Sequence, residues 1–234
     1  MEFFDSLKAF FYSSIIEQDR YKIIISGLKN TLIISFFATI LGIALGMIVA
    51  VTKYFAKGNG NVILKGFDKL CSLYITVVRG TPVMVQLFIW SLVVLASWTH
   101  AIPVACIGFG FNSGAYVAEI FRAGIEAVDV GQEEAGRSLG LTRISTMKYI
   151  VMPQAIKNIL PALGNEFITL LKETSVAGYI AVNDLTMAGS IIKSNTWDGR
   201  IYFVIALIYL VMVMAISKVL KTFERRLAKG DKSK

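Results

Sequence analysis

Long apolar stretches without charged residues dominate the chain. Asn30–Thr52 contains 23 residues without Asp, Glu, Lys or Arg, and Gly80–Ala118 contains 39. A helix that crosses the hydrocarbon core of a bilayer takes about 20 residues, so the first stretch predicts one span and the second is too long for one. The second stretch divides at Trp98–Pro103, because tryptophan favours the membrane interface and proline is tolerated in the first turn of a helix.

Two further apolar segments complete the predicted architecture. One is interrupted by Lys157, Pro161 and Glu166, and the other consists almost entirely of aliphatic and aromatic residues. The sequence therefore predicts an all-α membrane protein with five transmembrane helices. The predicted spans are Asn30–Thr52, Pro82–Trp98, Pro103–Val128, Pro153–Lys172 and Ile201–Ser217.

The distribution of basic residues predicts the orientation. Seven of the 24 Lys and Arg residues lie in Lys218–Lys234, and others follow the first and third spans, for example Lys57 and Arg143, whereas the turn at His100 has none nearby. Because cytoplasmic loops are enriched in Lys and Arg, we predict a cytoplasmic C-terminus and an N-terminus on the outer side. The net charge of +8 is thus explained by the membrane, and no nucleic-acid partner is predicted.

Two amphipathic segments lie outside the spans. Asn61–Val78 carries apolar residues at helical spacing and is predicted to lie along the inner membrane face. Residues 1–22 carry an aromatic and aliphatic stripe that predicts a helix in the outer membrane interface. The stripe consists of Phe3, Phe4, Leu7, Phe10 and Phe11.

The chain lacks the residues of the common catalytic and metal sites. It has no phosphate-binding Gly-x-x-x-x-Gly-Lys-Ser/Thr sequence, one histidine (His100) and two cysteines (Cys71 and Cys106) in apolar surroundings. A disulfide framework, a Cys/His metal site and most hydrolytic chemistry are therefore not expected. The pairs Gly42/Gly46 and Gly110/Gly114 predict close helix packing in the first and third spans.

Glu166 is the most informative charge, because it lies well inside the fourth span. A carboxylate at that depth costs at least about 2.5 kcal/mol unless it faces protein or water. Counting residues inward along the third span and outward along the fourth predicts a polar pocket near the middle of the membrane. A second interpretation stays open, in which Glu166 only holds helices together. Glu119 and Arg122 are expected to pair with each other. The predicted pocket residues are Asn112, Ser113, Tyr116, Asn165, Glu166 and Thr169.

A short helix outside the membrane is predicted between the third and fourth spans, over about residues 131–141. Asp129 can cap it, Gln132 follows at the spacing of a capping box, and Gly140 can end it. Its apolar residues Leu139 and Leu141 favour docking to a cytosolic partner. The residues assigned to this contact are Glu133, Glu134, Ala135, Gly136, Arg137, Ser138, Leu139 and Gly140.

The same segment carries a family resemblance. Glu134-Ala135-Gly136, then Gly140 and Ile150–Pro153, resemble the signature of ABC importer permeases, with Gly136 in place of an alanine and Met152 in place of a leucine. Three other motifs narrow the resemblance to the polar amino acid permeases of the histidine, glutamine and arginine group. They are Val78–Pro82, Asn112–Ile120 and Pro161–Phe167.

The resemblance implies the type I ABC importer permease fold in a bacterial cytoplasmic membrane. It implies a pathway formed with a second permease subunit, which is the same chain or a paralogue. Two cytosolic ATPase subunits would bind the cytoplasmic helix as a coupling helix, and an extracytoplasmic protein would deliver the amino acid. ATP and magnesium would be used by the ATPase, with no cofactor bound here. Together with the aromatic stripe and the basic C-terminal residues, the spans predict an interfacial segment 1–22, a permease domain 23–217 and a basic cytoplasmic tail 218–234.

Two other classes remain as alternatives. A secondary transporter would need an inverted repeat of broken helices, and five spans show no matching halves. A membrane-embedded enzyme would need a catalytic cluster, which the sequence does not show. An ATPase and a binding protein encoded next to this chain would favour the importer. Transport driven by an ion gradient alone would favour the secondary transporter.

Overall fold

The computed structural model describes residues 2–56 and 61–229, and every regular element within these ranges is a helix. The predicted all-α fold is thus confirmed. Lys57 and residues 230–234 lie outside the described residues. The α-helices are α1 (Glu2–Phe11), α2 (Arg20–Ala56), α3 (Val62–Gly80), α4 (Val83–Ile89), α5 (Ala101–Glu126), α6 (Val130–Ser138), α7 (Arg143–Thr146), α8 (Met152–Glu173), α9 (Leu185–Thr196) and α10 (Ile201–Lys229).

Helix α5 forms the centre of the bundle. Its residues Phe109, Ala115 and Val117 are completely buried, and α2 crosses it at very short distance. A Cβ atom on Gly42 would lie 2.8 Å from Ser113 Oγ, and one on Gly46 would lie 2.5 Å from a methyl group of Val117. The predicted role of these glycines in close packing is confirmed, because no larger residue fits at either position without displacing α5.

The number of membrane spans depends on how two bent helix pairs are counted. Within the described residues, three helices are long and apolar enough to cross a membrane, and five segments qualify if each bent pair is one span. The predicted five spans correspond to the upper count. The bent pairs are α3 with the segment that α4 begins, and the α7–α8 segment with α9.

The first bent pair contains the predicted amphipathic helix. Asn61 caps α3 by accepting a hydrogen bond from the Ile63 N–H. The chain then turns by 111° between Gly80 and Val83, where Pro82 cannot continue the helix. Helix α3 and the segment that α4 begins together form one candidate span, and Tyr74 of α3 donates a hydrogen bond to the Phe111 carbonyl in α5 over 2.6 Å. The position of α3 along the inner membrane face therefore stays a prediction. A π-helical turn, Trp90–Val94, extends α4.

Helix α9 was not predicted. Helix α8 contains the predicted fourth span, continues as a 3₁₀ segment, Thr174–Ile180, and bends by 50° into α9. The buried Asp184 caps α9 by accepting hydrogen bonds from the N–H groups of Thr186 and Met187. The residues that support this break come from elsewhere in the chain, since Thr31 of α2 accepts a hydrogen bond from the Leu185 N–H.

Helix α10 is the most peripheral long helix. Ile201 and Ile205 are buried, whereas Phe203, Leu207 and most later side chains are exposed. The helix continues without a break to Lys229, so the described part of the basic segment 218–234 is helical. Leu220 packs against α8, where a Cβ atom on Gly164 would lie 2.6 Å from it.

The N-terminal helix is attached to the loop before α10. The Arg200 guanidinium lies 4.8 Å from the ring centre of Phe10, donates a hydrogen bond to Ser6 and binds both oxygens of Asp198. This hydrogen bonding holds the pKa of Asp198 below its usual value. Phe10 is therefore buried in the protein, which corrects its prediction as a membrane-facing residue, while Phe4 is exposed as that prediction requires. The side chains of Phe3 and Leu7 lie outside the described residues.

Candidate functional site

The polar contact at the centre of the bundle joins α5 to α8. Ser113 donates a hydrogen bond to a carboxylate oxygen of Glu166 over 2.8 Å. Ser113 is completely buried and Glu166 is partly exposed. The predicted level of Glu166 opposite Phe111–Ala115 is thus confirmed by a direct contact.

A cavity of about 450 Å³ opens beside Glu166. Tyr116 lines it from α5, and Asn158 and Ala162 line it from the preceding turns of α8. The Arg79 guanidinium lies 5.4 Å from the ring centre of Tyr116. The Glu166 cavity therefore presents a carboxylate, a phenol and a cation to one space, which suits a small ligand that carries both charges.

Asn112 requires a correction to the predicted set. Its side chain is buried and donates a hydrogen bond to Gln86 of α4 over 3.0 Å, so it faces α4. Residue counting places a side chain along the helix axis, but neighbouring residues of a helix point about 100° apart. Asn112 and Ser113 are consequently at one level and on different faces.

Asn165 and Thr169 lie on a face of α8 that the described part of the chain leaves exposed. They are four residues apart, so they share one stripe of the helix. An amide and a hydroxyl in a membrane-spanning helix are expected to face protein or water. Their membership of the Glu166 site stays a prediction, since neither lines the cavity beside Glu166 within the described residues.

Gln86 is a buried residue behind the site whose role the sequence interpretation missed. Its amide donates hydrogen bonds to the carbonyls of Val78 and Thr81, at 2.8 and 3.1 Å, and accepts one from Asn112. It therefore joins the end of α3, the start of α4 and the middle of α5. The available signal was a lone amide in an otherwise apolar span, one turn after Pro82.

The predicted pair of Glu119 and Arg122 is confirmed at 2.9 Å. It belongs to a larger group, since Arg79 lies 3.4 Å from Glu119 and Arg122 lies 2.5 Å from Glu126. Charges of alternating sign thus run from Arg79 at the end of α3 to Glu119, Arg122 and Glu126 on α5. Within residues 2–56 and 61–229, no group of three His, Cys, Asp or Glu side chains is arranged to hold a metal ion.

The predicted cytoplasmic helix is present as α6. Asp129 caps it by accepting a hydrogen bond from the Gly131 N–H over 2.7 Å. The expected return contact of a capping box is replaced, because the Gln132 amide oxygen accepts a hydrogen bond from Gln154 of α8. Gly140 ends the segment with a left-handed φ of +83°, a conformation that favours glycine.

Helix α6 and the residue that follows it differ in exposure. Gly136 is buried, and a Cβ atom there would lie 2.7 Å from Ile150 and 2.8 Å from Thr146. A larger residue at this position would displace one of these side chains. Leu139, which follows the last residue of α6, is by contrast 82% exposed. A large apolar side chain exposed at a rigid helix end is suited to insertion into a partner.

The bundle of apolar helices with partly exposed charges inside it defines a multi-pass membrane transport protein. The family model for the binding-protein-dependent transport system inner membrane component matches residues 42–229. The chain belongs to this family, the permease subunits of ABC importers. ATP hydrolysis in this family belongs to a separate subunit, so the chain is a transport permease and not an enzyme.

Individual relatives support the predicted resemblance to polar amino acid permeases. The glutamine transport system permease protein GlnP of Escherichia coli K12 is 36% identical over 210 residues, which cover 88% of this chain and 93% of that protein. A crystal structure of an amino acid ABC transporter with histidines is 45% identical, with a TM-score of 0.80, and the match covers 88% and 94% of the two chains.

The fold extends to more distant importers. The inward-facing MetNI methionine ABC transporter matches with a TM-score of 0.78 at 17% identity, over 91% of this chain and 99% of that chain. At this identity the match concerns the fold alone. The predicted permease fold is therefore confirmed at the level of helix arrangement.

Proposed function

We propose that the chain is the membrane-spanning permease subunit of an ATP-driven importer of polar amino acids. The observation that carries this proposal is the Ser113–Glu166 contact beside an open cavity between α5 and α8. The glutamine permease relatives and the transporter structure with histidines support the same substrate class.

The substrate site consists of Ser113, Tyr116 and Glu166, with Asn165 and Thr169 on the adjoining exposed stripe of α8. An amino acid carries an ammonium and a carboxylate, and neither can be left without partners at low dielectric. Glu166 accepts the ammonium or a cationic side chain, and the Asn165 amide binds the remaining polar atoms. Asn112 supports the site from behind, through Gln86.

The exposed stripe of Asn165 and Thr169 also supports a second permease subunit. Polar groups there need a protein or aqueous neighbour, and a dimer that encloses the pathway supplies both. The second subunit is a copy of this chain or a paralogue. An extracytoplasmic binding protein delivers the amino acid to the outer side, where we place the N-terminus.

Helix α6 is the proposed coupling helix, docked into a cytosolic ATPase subunit through residues Glu133 to Gly140. ATP binding closes the two ATPase subunits and brings the two coupling helices together. Because packed helices move as rigid bodies, this movement opens the pathway outward, and hydrolysis returns it. ATP and magnesium are bound by the ATPase subunits.

The deciding experiment reconstitutes the permease with its ATPase and binding protein in proteoliposomes. A panel of amino acids is tested for stimulation of ATP hydrolysis and for uptake. We expect polar amino acids to stimulate both and aliphatic ones to stimulate neither. Uptake that follows an ion gradient and proceeds without ATP would instead show a secondary transporter.

A further inference from the structure

Two cavities meet at one pair of charged residues. The Glu166 cavity, of about 450 Å³, and a second cavity of about 760 Å³ are both lined by Glu119 and Arg122. The second cavity, here called the α6 cavity, also contains Asp129 and Glu133 at the base of the proposed coupling helix. The Glu166 cavity and the α6 cavity therefore adjoin at the Glu119–Arg122 pair, which is here called the wall.

The wall is closed by well-formed contacts. The Arg122 guanidinium donates hydrogen bonds to both carboxylate oxygens of Glu119, at 2.9 and 3.2 Å. Arg79 approaches Glu119 from the side of the Glu166 cavity, and Glu126 binds Arg122 from the side of the α6 cavity. Each charge of the wall therefore has a second partner of opposite sign.

The location of these residues favours a water-filled pathway. Tyr116, Glu119, Arg122 and Glu126 follow one another at intervals of three or four residues, so they form one stripe over about 15 Å of α5. The Arg122 side chain is 47% exposed although it lies in a membrane-spanning helix. Exposed charges in such a helix are expected to face an aqueous cavity or another protein chain, because lipid offers no partners.

We propose that the Glu119–Arg122 ion pair is a charged inner gate, through which an amino acid passes from the Glu166 cavity to the α6 cavity. This proposal rests on the proposed transport function. It assigns to the pair a role beyond substrate binding, because the pair separates the two cavities when no amino acid is passing.

The gate selects molecules that carry both charges. An amino acid can enter the pair with its ammonium on Glu119 and its carboxylate on Arg122, so that no charge loses its partner during passage. An amine or a carboxylic acid alone offers a charge to only one member of the pair, whereas an amino acid offers one to each. The substrate class that fits the gate is therefore the zwitterionic amino acids.

The gate is tested by removing each charge of the pair in the reconstituted complex. Glu119→Gln and Arg122→Gln are compared with Arg122→Lys, which keeps the cation, and with Glu126→Gln, which removes a partner that lies only on the α6 side. Proteoliposomes are loaded with radiolabelled L-glutamine, L-histidine or L-arginine, and efflux without ATP is measured together with uptake per ATP hydrolysed.

We expect ATP-independent efflux to rise about fivefold or more in Glu119→Gln and Arg122→Gln, with uptake per ATP falling accordingly. Arg122→Lys keeps the cation but loses the two-point contact with Glu119, so its efflux should lie between those of the wild type and Arg122→Gln. Glu126→Gln keeps the Glu119–Arg122 pair itself, so it should raise efflux less than Glu119→Gln or Arg122→Gln does. Efflux that stays at the wild-type rate in both glutamine variants would overturn the gate. Parallel loss of assembly, ATP hydrolysis and transport in both would also overturn it, because the pair would then only hold the fold.

The wild-type complex separates this proposal from the function on which it rests. If the wild type imports none of the three amino acids with ATP, the proposed function fails. If the wild type imports normally and neither Glu119→Gln nor Arg122→Gln raises ATP-independent efflux, only the gate fails.

Discussion

At the scale of single residues, the Ser113–Glu166 contact allows two interpretations of Glu166. The carboxylate either binds substrate in the adjoining cavity or only joins α5 to α8. The contact itself does not require a charge, because a glutamine oxygen can accept the same hydrogen bond from Ser113. A substitution at Glu166 can therefore remove the negative charge and still keep the hydrogen bond to Ser113.

We predict that Glu166→Gln weakens substrate-stimulated ATP hydrolysis and leaves assembly with the ATPase unchanged. The variant keeps the shape and the acceptor of the Ser113 contact but removes the negative charge that an ammonium needs. Stimulation curves and the yield of assembled complex are measured on one preparation. Normal substrate response with reduced assembly would show that Glu166 is structural.

Gln86 is predicted to be a stabilising residue at the bend before α4. Gln86→Leu leaves the buried amide of Asn112 and the carbonyl of Val78 without the partners they have now, which costs about 1–3 kcal/mol for each group. We expect a lower unfolding temperature of the detergent-solubilised protein. The double variant Gln86→Leu/Asn112→Leu should recover part of the loss, and an unchanged unfolding temperature in Gln86→Leu would contradict the assignment.

At the scale of elements, α6 combines a buried attachment with an exposed end. Gly136 fits against Thr146 and Ile150, which precede α8. Asp129 caps the start, and Gly140 supplies the left-handed turn after Leu139. These contacts hold the exposed Leu139 in a defined position without a partner present.

We predict that Leu139→Asp detaches the ATPase while the permease remains in the membrane. A charge at this position would have to be desolvated in the groove of a partner, whereas Leu139→Met keeps an apolar side chain and should retain the ATPase. For both variants we measure how much ATPase co-purifies with the permease and how fast ATP-driven uptake proceeds. Equal recovery of the ATPase with the aspartate and methionine variants would exclude Leu139 from the interface.

At the scale of the whole molecule, the bent helix pairs decide how many times the chain crosses the membrane. With each pair as one span the count is five, which places the two ends of the chain on opposite sides. Counting only the three continuous helices also gives an odd number. Sidedness of individual positions is therefore the informative measurement.

We predict that a cysteine at position 5 is labelled from outside and one at position 138 from the cytoplasm, in a background with Cys71 and Cys106 replaced by serine. Asp5 and Ser138 are both exposed, so access by an impermeant thiol reagent reports the membrane side. The reagent reaches the outer side in intact cells and the cytoplasmic side in inverted membrane vesicles. Labelling of both positions in intact cells would refute the predicted orientation.

The sequence by itself determined the elements and their levels. The charge-free stretches, the cap at Asp129 and the spacing of Glu119 and Arg122 depend on residues close together in the chain, so the local sequence was sufficient to predict them. Counting along the helix axis also placed Glu166 opposite Ser113, because each residue of a helix advances the same distance.

Only the tertiary structure decided which way the side chains face and where helices break. Rotation about the axis turned Asn112 toward Gln86 and away from Glu166, and it brought Arg79 beside Glu119. The start of α9 depends on Thr31, which is 154 residues from Leu185 in sequence. Such contacts come from the packing of distant segments, and the periodicity of a single helix carries no information about its neighbours.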